Sequence, residues 1–176
     1  MPWRSIVIGG VAGAELINAL EASCVLSPFA ANVLYQRAFP TLRASQSVSL
    51  IILRPADLGF PGGALYGDML HKPTLVKWSR ANLSGQIIET CPAEVGPHLR
   101  LQYPDQPRGE VLWIVMQGAH DADYLERLFC VSSSWALFGR RRRMLQAFRS
   151  RPDALCEATS KYVYRVREEP DGTGAT

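Results

Sequence analysis

The stretch "RRRRMLQAFRSRPDALCEATSKYVYRV", Arg140 to Val166, decides the fold class. Two strand-like runs flank the turn-like "RSRPD", so the segment reads as a β-hairpin whose second arm is the closing strand of the chain. Side chains alternate along a strand, which sends Arg140 and Arg142 to one face and Arg141 and Arg143 to the other. The arginine run is therefore not one cationic patch, and the Arg140–Arg142 pair is left to face a pocket. In the second arm, Leu155, Glu157 and Thr159 share one face, while Ala154, Cys156, Ala158 and Ser160 share the opposite one. Both faces carry small or apolar residues, so the arm reads as covered on both sides with the Glu157 carboxyl buried. A buried carboxyl either pairs with a cation or keeps its proton. Glu157 is then half of a structural ion pair with a nearby arginine, or a proton donor whose pKa burial has raised.

Working back from the hairpin, "AHDADYLERLF" offers Asp121 or Asp123 as an N-cap ahead of Leu125, Leu128 and Phe129, a helix pattern. "PRGEVLWIVM" fits helix or strand. "TLVKWSRANL", "GQIIETCPAEV" and "HLRLQY" read as strands, with Ser84-Gly85 as the hairpin turn between the first two. On such a strand Trp78 and Arg80 share a face, an aromatic wall beside a forked cation suited to a carboxylate; the alternative is a surface arginine beside a core tryptophan. "LGFPGGALYGDMLHKP" reads as a long loop, apolar enough to cover a pocket. "SVSLIILRP" reads as a strand closed by proline. Residues 13–37 read as two helices, or one broken at Ser27-Pro28.

With 176 residues, 47% of them hydrophobic and 20% charged, the chain suits one domain over residues 1–168 and a disordered polar tail over 169–176. The formal charge is +3, less than the arginine run alone supplies, which argues against nucleic acid as a partner. No run of about 18 apolar residues occurs, so no membrane span is expected. Cys24, Cys91, Cys130 and Cys156 are far apart with no CxxC pair, and they read as reduced thiols of a cytoplasmic protein. His71, His98 and His120 lack metal-ligand spacing, and neither a GxSxG elbow nor a P-loop occurs. Neither metal nor organic cofactor is expected.

Several of these pieces, in this order, resemble the chorismate pyruvate-lyase family. "ALFGRRRRM" followed by "LCEATSKYVY" looks like that family's GRR strand and its closing strand with a central glutamate. "PRGEVLW" is similar to its P-x-G-x-x-L segment, "KWSRANL" to the strand bearing its carboxylate-binding arginine, and "SVSLIILRP" to its first strand. The likeness spans roughly residues 25 to 165. It implies an α+β fold, a single antiparallel sheet with helices packed mainly on one face and a ligand enclosed beneath helical flaps. It also implies that Arg80 holds a ring carboxylate, that Glu157 meets the hydroxyl end, and that backbone N–H groups around Arg108 and Gly109 face the ligand.

The resulting expectation is a cofactor-independent carbon–oxygen lyase, monomeric or homodimeric, that converts chorismate or a similar acid to a hydroxybenzoate and pyruvate. Glu157 would be catalytic, and Trp78, Arg80, Arg108, Gly109, Arg140 and Arg142 would bind substrate. The alternatives keep the fold, since fold does not fix function. One is a cyclase or dehydratase of specialised metabolism acting on a polyketide-like substrate; the other is a non-catalytic domain that binds a small ligand.

Overall fold

A computed structural model describes residues 2–117, 119–135 and 141–169. The chain opens with β1 (Arg4–Ile8), α1 (Gly13–Ser23), β2 (Val25–Leu26) and α2 (Pro28–Leu34). The expected break between two helices falls at Ser27-Pro28. There the Ser27 hydroxyl accepts the Ala30 N–H at 3.1 Å, and Pro28 occupies the first turn, where a missing N–H costs nothing. Next come β3 (Gln46–Leu53), a 3-10 turn (Pro55–Leu58), β4 (Ala64–Leu65), α3 (Tyr66–Met69), α4 (Lys72–Asn82), β5 (Gln86–Glu89) and α5 (Val95–Gln102). The chain ends with β6 (Val111–Ile114), β7 (Ala119–His120), β8 (Glu126–Trp135), β9 (Arg141–Arg149), β10 (Leu155–Cys156) and β11 (Lys161–Glu168).

The α+β class holds, but the sheet is not the single antiparallel one expected. Among the described residues nine strands form one sheet in the order β1-β3-β11-β6-β8-β9-β2, with β5 added to β11 and β7 to β8. It is mixed, because β11 runs parallel to β6 and β2 parallel to β9. A second, two-stranded sheet pairs β10 with β4. Helices cover both faces. Ile114 and Val163 stand side by side in the β6–β11 register, on the face where Phe129 meets Gly96 of α5. Tyr164, one residue on, points the other way, and its hydroxyl donates to the Met69 carbonyl of α3 at 3.2 Å.

The expected closing hairpin does not form, since β9 pairs with β8 and β2 whereas β11 pairs with β3, β5 and β6, and several segments differ from the sequence reading in element type. "TLVKWSRANL" is helix α4, not a strand: Leu75, Trp78 and Ser79 fall on one helical face, with Leu75 and Ser79 buried and Trp78 half-buried. The Ser79 hydroxyl donates to the Leu75 carbonyl at 2.7 Å and accepts the Ile88 N–H at 2.9 Å, which ties the helix to β5. "HLRLQY" lies almost wholly in helix α5. "YLERLF" is mostly strand β8, held between β6 and β9 and buried on both sides from Arg127 to Ser133, so no polar face breaks its helix-like apolar spacing. The segment expected as a flap carries β4 and α3 instead, with Tyr66 and Met69 in the core and the Tyr66 hydroxyl donating to the Met116 carbonyl at 3.0 Å. Buried apolar side chains form one continuous cluster from Ile6 to Val166. No helix among the described residues is long and apolar enough to cross a membrane.

Candidate functional site

Arg80 and Glu157, expected to meet around one enclosed ligand, each stand in solvent. Arg80 projects from the last turn of α4, 69% exposed, and its guanidinium pairs with Glu169 at 3.3 Å. Trp78 is two residues away on the same helix and so points elsewhere, which removes the shared wall that a strand would have built. Glu157 is exposed and opens the turn between β10 and β11, its carbonyl accepting the Ser160 N–H at 3.0 Å. The expectation of a buried carboxyl therefore fails: strand alternation breaks off at Cys156, and Glu157 stands in solvent. Arg108 is exposed and stacks on the Trp135 ring, 3.8 Å from its centroid. The Gly109 N–H already donates to the Ser133 carbonyl at 2.7 Å, so it is spent within the fold and does not face a ligand. Arg142 is exposed on β9, opposite Ser134. Arg140 and residues 170–176 of the expected tail lie outside the described residues.

A different set of charges meets in a cavity of about 780 Å³. Its walls come from α4, β5, the loop after β5, β7 and the Ala38–Pro40 segment, and its charged side is formed by β11 and β5. In the β5–β11 register Arg165 lies directly opposite Glu89, and Arg167 is two residues further on the same face. Glu89 bridges both guanidinium groups, Arg165 at 3.2 Å and Arg167 at 2.9 Å. Lys72, at the start of α4, adds a third cation to the lining, so three cations face one carboxylate there. All three members of the bridge are partly exposed, at 28%, 45% and 31% for Arg165, Arg167 and Glu89. They are thus neither sealed in the core nor free in solvent, and guanidinium donors beyond those engaged by Glu89 are available to an incoming anion. Leu75, Val76, Ile87, Ile88 and Pro92 supply much of the apolar remainder. A mostly apolar hollow with a few convergent polar groups is the usual form of a small-molecule site.

Cys91 also lines the cavity, but its thiol donates to the Val163 carbonyl at 3.5 Å. Burial pushes that thiol up against the smaller opposing pull of Arg165, so it stays protonated and unreactive. The other cysteines are free as well, Cys130 and Cys156 buried and Cys24 half-buried. Among the described residues no group of three or more His, Cys, Asp or Glu could hold a metal ion.

The sequence does carry a signal for this cluster. "YVYRVRE" places two arginines at period two inside an otherwise apolar strand, and "QIIE" ends a neighbouring strand on a carboxylate. Alternation alone puts the two cations on one face; pairing them with Glu89 requires the register. No family model, curated protein or solved structure matches this chain.

Proposed function

We propose that this chain binds a small carboxylate-bearing molecule in the cavity between α4, β5 and β11. The observation that carries this reading is the Glu89-bridged pair of guanidinium groups on the wall of a mostly apolar hollow. Two arginines sharing one carboxylate keep a positive surplus, and each is held in place before a ligand arrives, which lowers the ordering cost of binding. Apolar walls suit a ring or chain behind the carboxylate. The direct test is calorimetric titration with benzoate, using wild-type protein and the Arg165→Ala/Arg167→Ala double variant. Saturable binding in the first and a loss of tenfold or more in the second is expected; equal binding by both would end the assignment of this site.

For the chemistry we propose the lyase reaction that the family resemblance implies, cleavage of an enolpyruvyl ether on a ring acid such as chorismate to hydroxybenzoate and pyruvate. The order of the "GRRRR" and "LCEATSKYVY" motifs supports it, together with a cavity able to orient one acid by its charge. On this reading Arg165 and Arg167 take the anchoring role expected of Arg80, and the exposed Glu157 takes no part. Incubation with chorismate, followed by mass spectrometry of the products, tests it. The expected result is 4-hydroxybenzoate and pyruvate from wild type and from Glu157→Gln, and little from the double arginine variant. Loss of turnover in Glu157→Gln alone would return the site to the β10–β11 turn, and an inert wild type that still binds benzoate would leave a binding domain.

A further inference from the structure

Phe39 lines two hollows at once. One is the 780 Å³ cavity just described; the other, of about 340 Å³, lies between α1, α2 and the Tyr35–Thr41 segment and is lined by Gly13, Ile17, Leu34 and Arg37 among others. The Phe39 ring is half-buried and held edge-on against Phe129, with centroids 6.1 Å apart and planes at 78°. Its side chain carries no polar atom and is placed by packing against Phe129 and the core, which is how a side chain can bound a space without closing it by a hydrogen bond. The charged wall of the larger hollow, Arg165 and Arg167, lies on β11, whereas the smaller hollow is built from α1, α2 and the segment after them, and Phe39 belongs to both linings.

We infer that Phe39 is the partition between the two hollows and that it sets the length of the apolar tail the site accepts. The inference rests on the anion-binding reading above, not on the lyase chemistry, and adds the limit that the site sets on the length of a carboxylic acid's apolar part. Each added methylene that finds apolar wall gains about fourfold in affinity. A methylene that meets the Phe39 ring gains nothing, because a packed aromatic wall does not yield without displacing its own neighbours.

The test is titration of a homologous series, hexanoate, octanoate, decanoate, dodecanoate and palmitate, against wild type, Phe39→Leu, Phe39→Ala and the double arginine variant. Phe39→Leu keeps apolar packing on Phe129 while shortening the wall, and thermal unfolding monitors whether each variant is folded. In wild type, affinity is expected to climb with chain length and then level off or fall; in Phe39→Leu and further in Phe39→Ala the break moves to longer acids, with at least a tenfold gain for dodecanoate. An unchanged break in folded Phe39 variants, with binding still lost in the double arginine variant, overturns the partition and leaves the anion site standing. Failure of every acid to bind wild type overturns both.

Discussion

Gly96 lies so close to Phe129 that a methyl group built on it would stand 2.7 Å from the Phe129 Cβ and 2.9 Å from two of its ring carbons. Helix α5 thus rests closely on the sheet at this point, and the ring it presses on also braces Phe39. Gly96→Ala should lift the helix or tilt the ring, costing about 1–3 kcal/mol of stability and lowering the melting temperature by several degrees, despite the better helix propensity of alanine. A variant as stable as wild type in urea would show that the helix can slide. Asp121 is a second residue whose surroundings decide its role. Its Oδ1 accepts the N–H groups of Asp123 and Leu125, both at 3.0 Å, and Oδ2 meets the Arg127 Nε at 2.7 Å. Burial alone would raise this carboxyl, but the Arg127 contact and the two backbone donors outweigh it and hold the pKa below the usual range. Its stabilising effect is full above the unfolded value near 3.9 and lost as pH falls through the folded one. Asp121→Asn should therefore flatten the acid limb of stability against pH below about 4, measured by urea unfolding across that range. The capping character of Asp121 was legible in the sequence; that it caps a turn leading into a strand was not, because the same three acceptor bonds serve either.

Helix α5 does more than cover the sheet: it closes an edge of it. β1 is the end strand, and its outward backbone groups meet side chains one helical turn apart, with the Gln102 amide accepting the Val7 N–H at 2.9 Å and donating to the Val7 carbonyl at 2.7 Å, and the His98 Nε2 accepting the Gly9 N–H at 3.4 Å. Gln102 imitates a neighbouring strand. An edge left open invites pairing with another chain. Gln102→Leu keeps similar bulk and removes both bonds, so the Val7 amide should lose protection in hydrogen exchange while the β3 amides keep theirs; unchanged exchange at Val7 would show that the helix backbone alone shields the edge. The strand expected at "HLRLQY" is a helix for a physical reason. Leu99 packs inward while His98 and Gln102 face a strand and Arg100 is itself buried, so polar residues sit where a helix of this length would ordinarily show its apolar stripe. Helix α4 differs for the opposite cause: β-branched and aromatic residues give its sequence strand character, and the packing of Leu75 and Ser79 beside β5 sets the helical period.

For the molecule as a whole, strand content was legible in "SVSLIILRP", "GQII" and the closing segment, because alternation and turn residues are local, but the hairpin expected there does not form: β9 pairs with β8 and β2, β10 with β4, and β11 with β3, β5 and β6. The parallel pairings β11 with β6 and β2 with β9 were not legible, since they join segments far apart in the chain and leave no periodic mark of their own. The site followed the topology: Arg165 and Glu89 become neighbours only through the long-range register of β5 on β11. The same long-range packing buries an ionisable pair that no local pattern announced. Glu94, at the start of α5, has one carboxyl oxygen accepting the Leu42 N–H at 3.0 Å and the other 3.8 Å from the His98 Nε2, with no hydrogen-bond partner. Burial pushes the Glu94 carboxyl up, only partly offset by the Leu42 bond, and burial pushes the His98 imidazole down. Both groups favour the neutral form, and their effects on stability have opposite signs. As pH rises past the ordinary glutamate value near 4.3, the unfolded chain releases a proton that the fold retains, so stability declines until the folded pKa is passed. As pH drops below the ordinary histidine value near 6.5, the unfolded chain takes up a proton that the fold refuses, so stability declines toward the folded pKa on that side. Glu94→Gln keeps the acceptor for Leu42 and removes the first dependence alone. Its stability relative to wild type should therefore improve between about pH 4 and about pH 7.5, read as the difference in urea midpoints at the two values. A difference that stays constant would mean that Glu94 titrates in the fold as it does in the unfolded chain, and that the core beneath β1 accepts its charge.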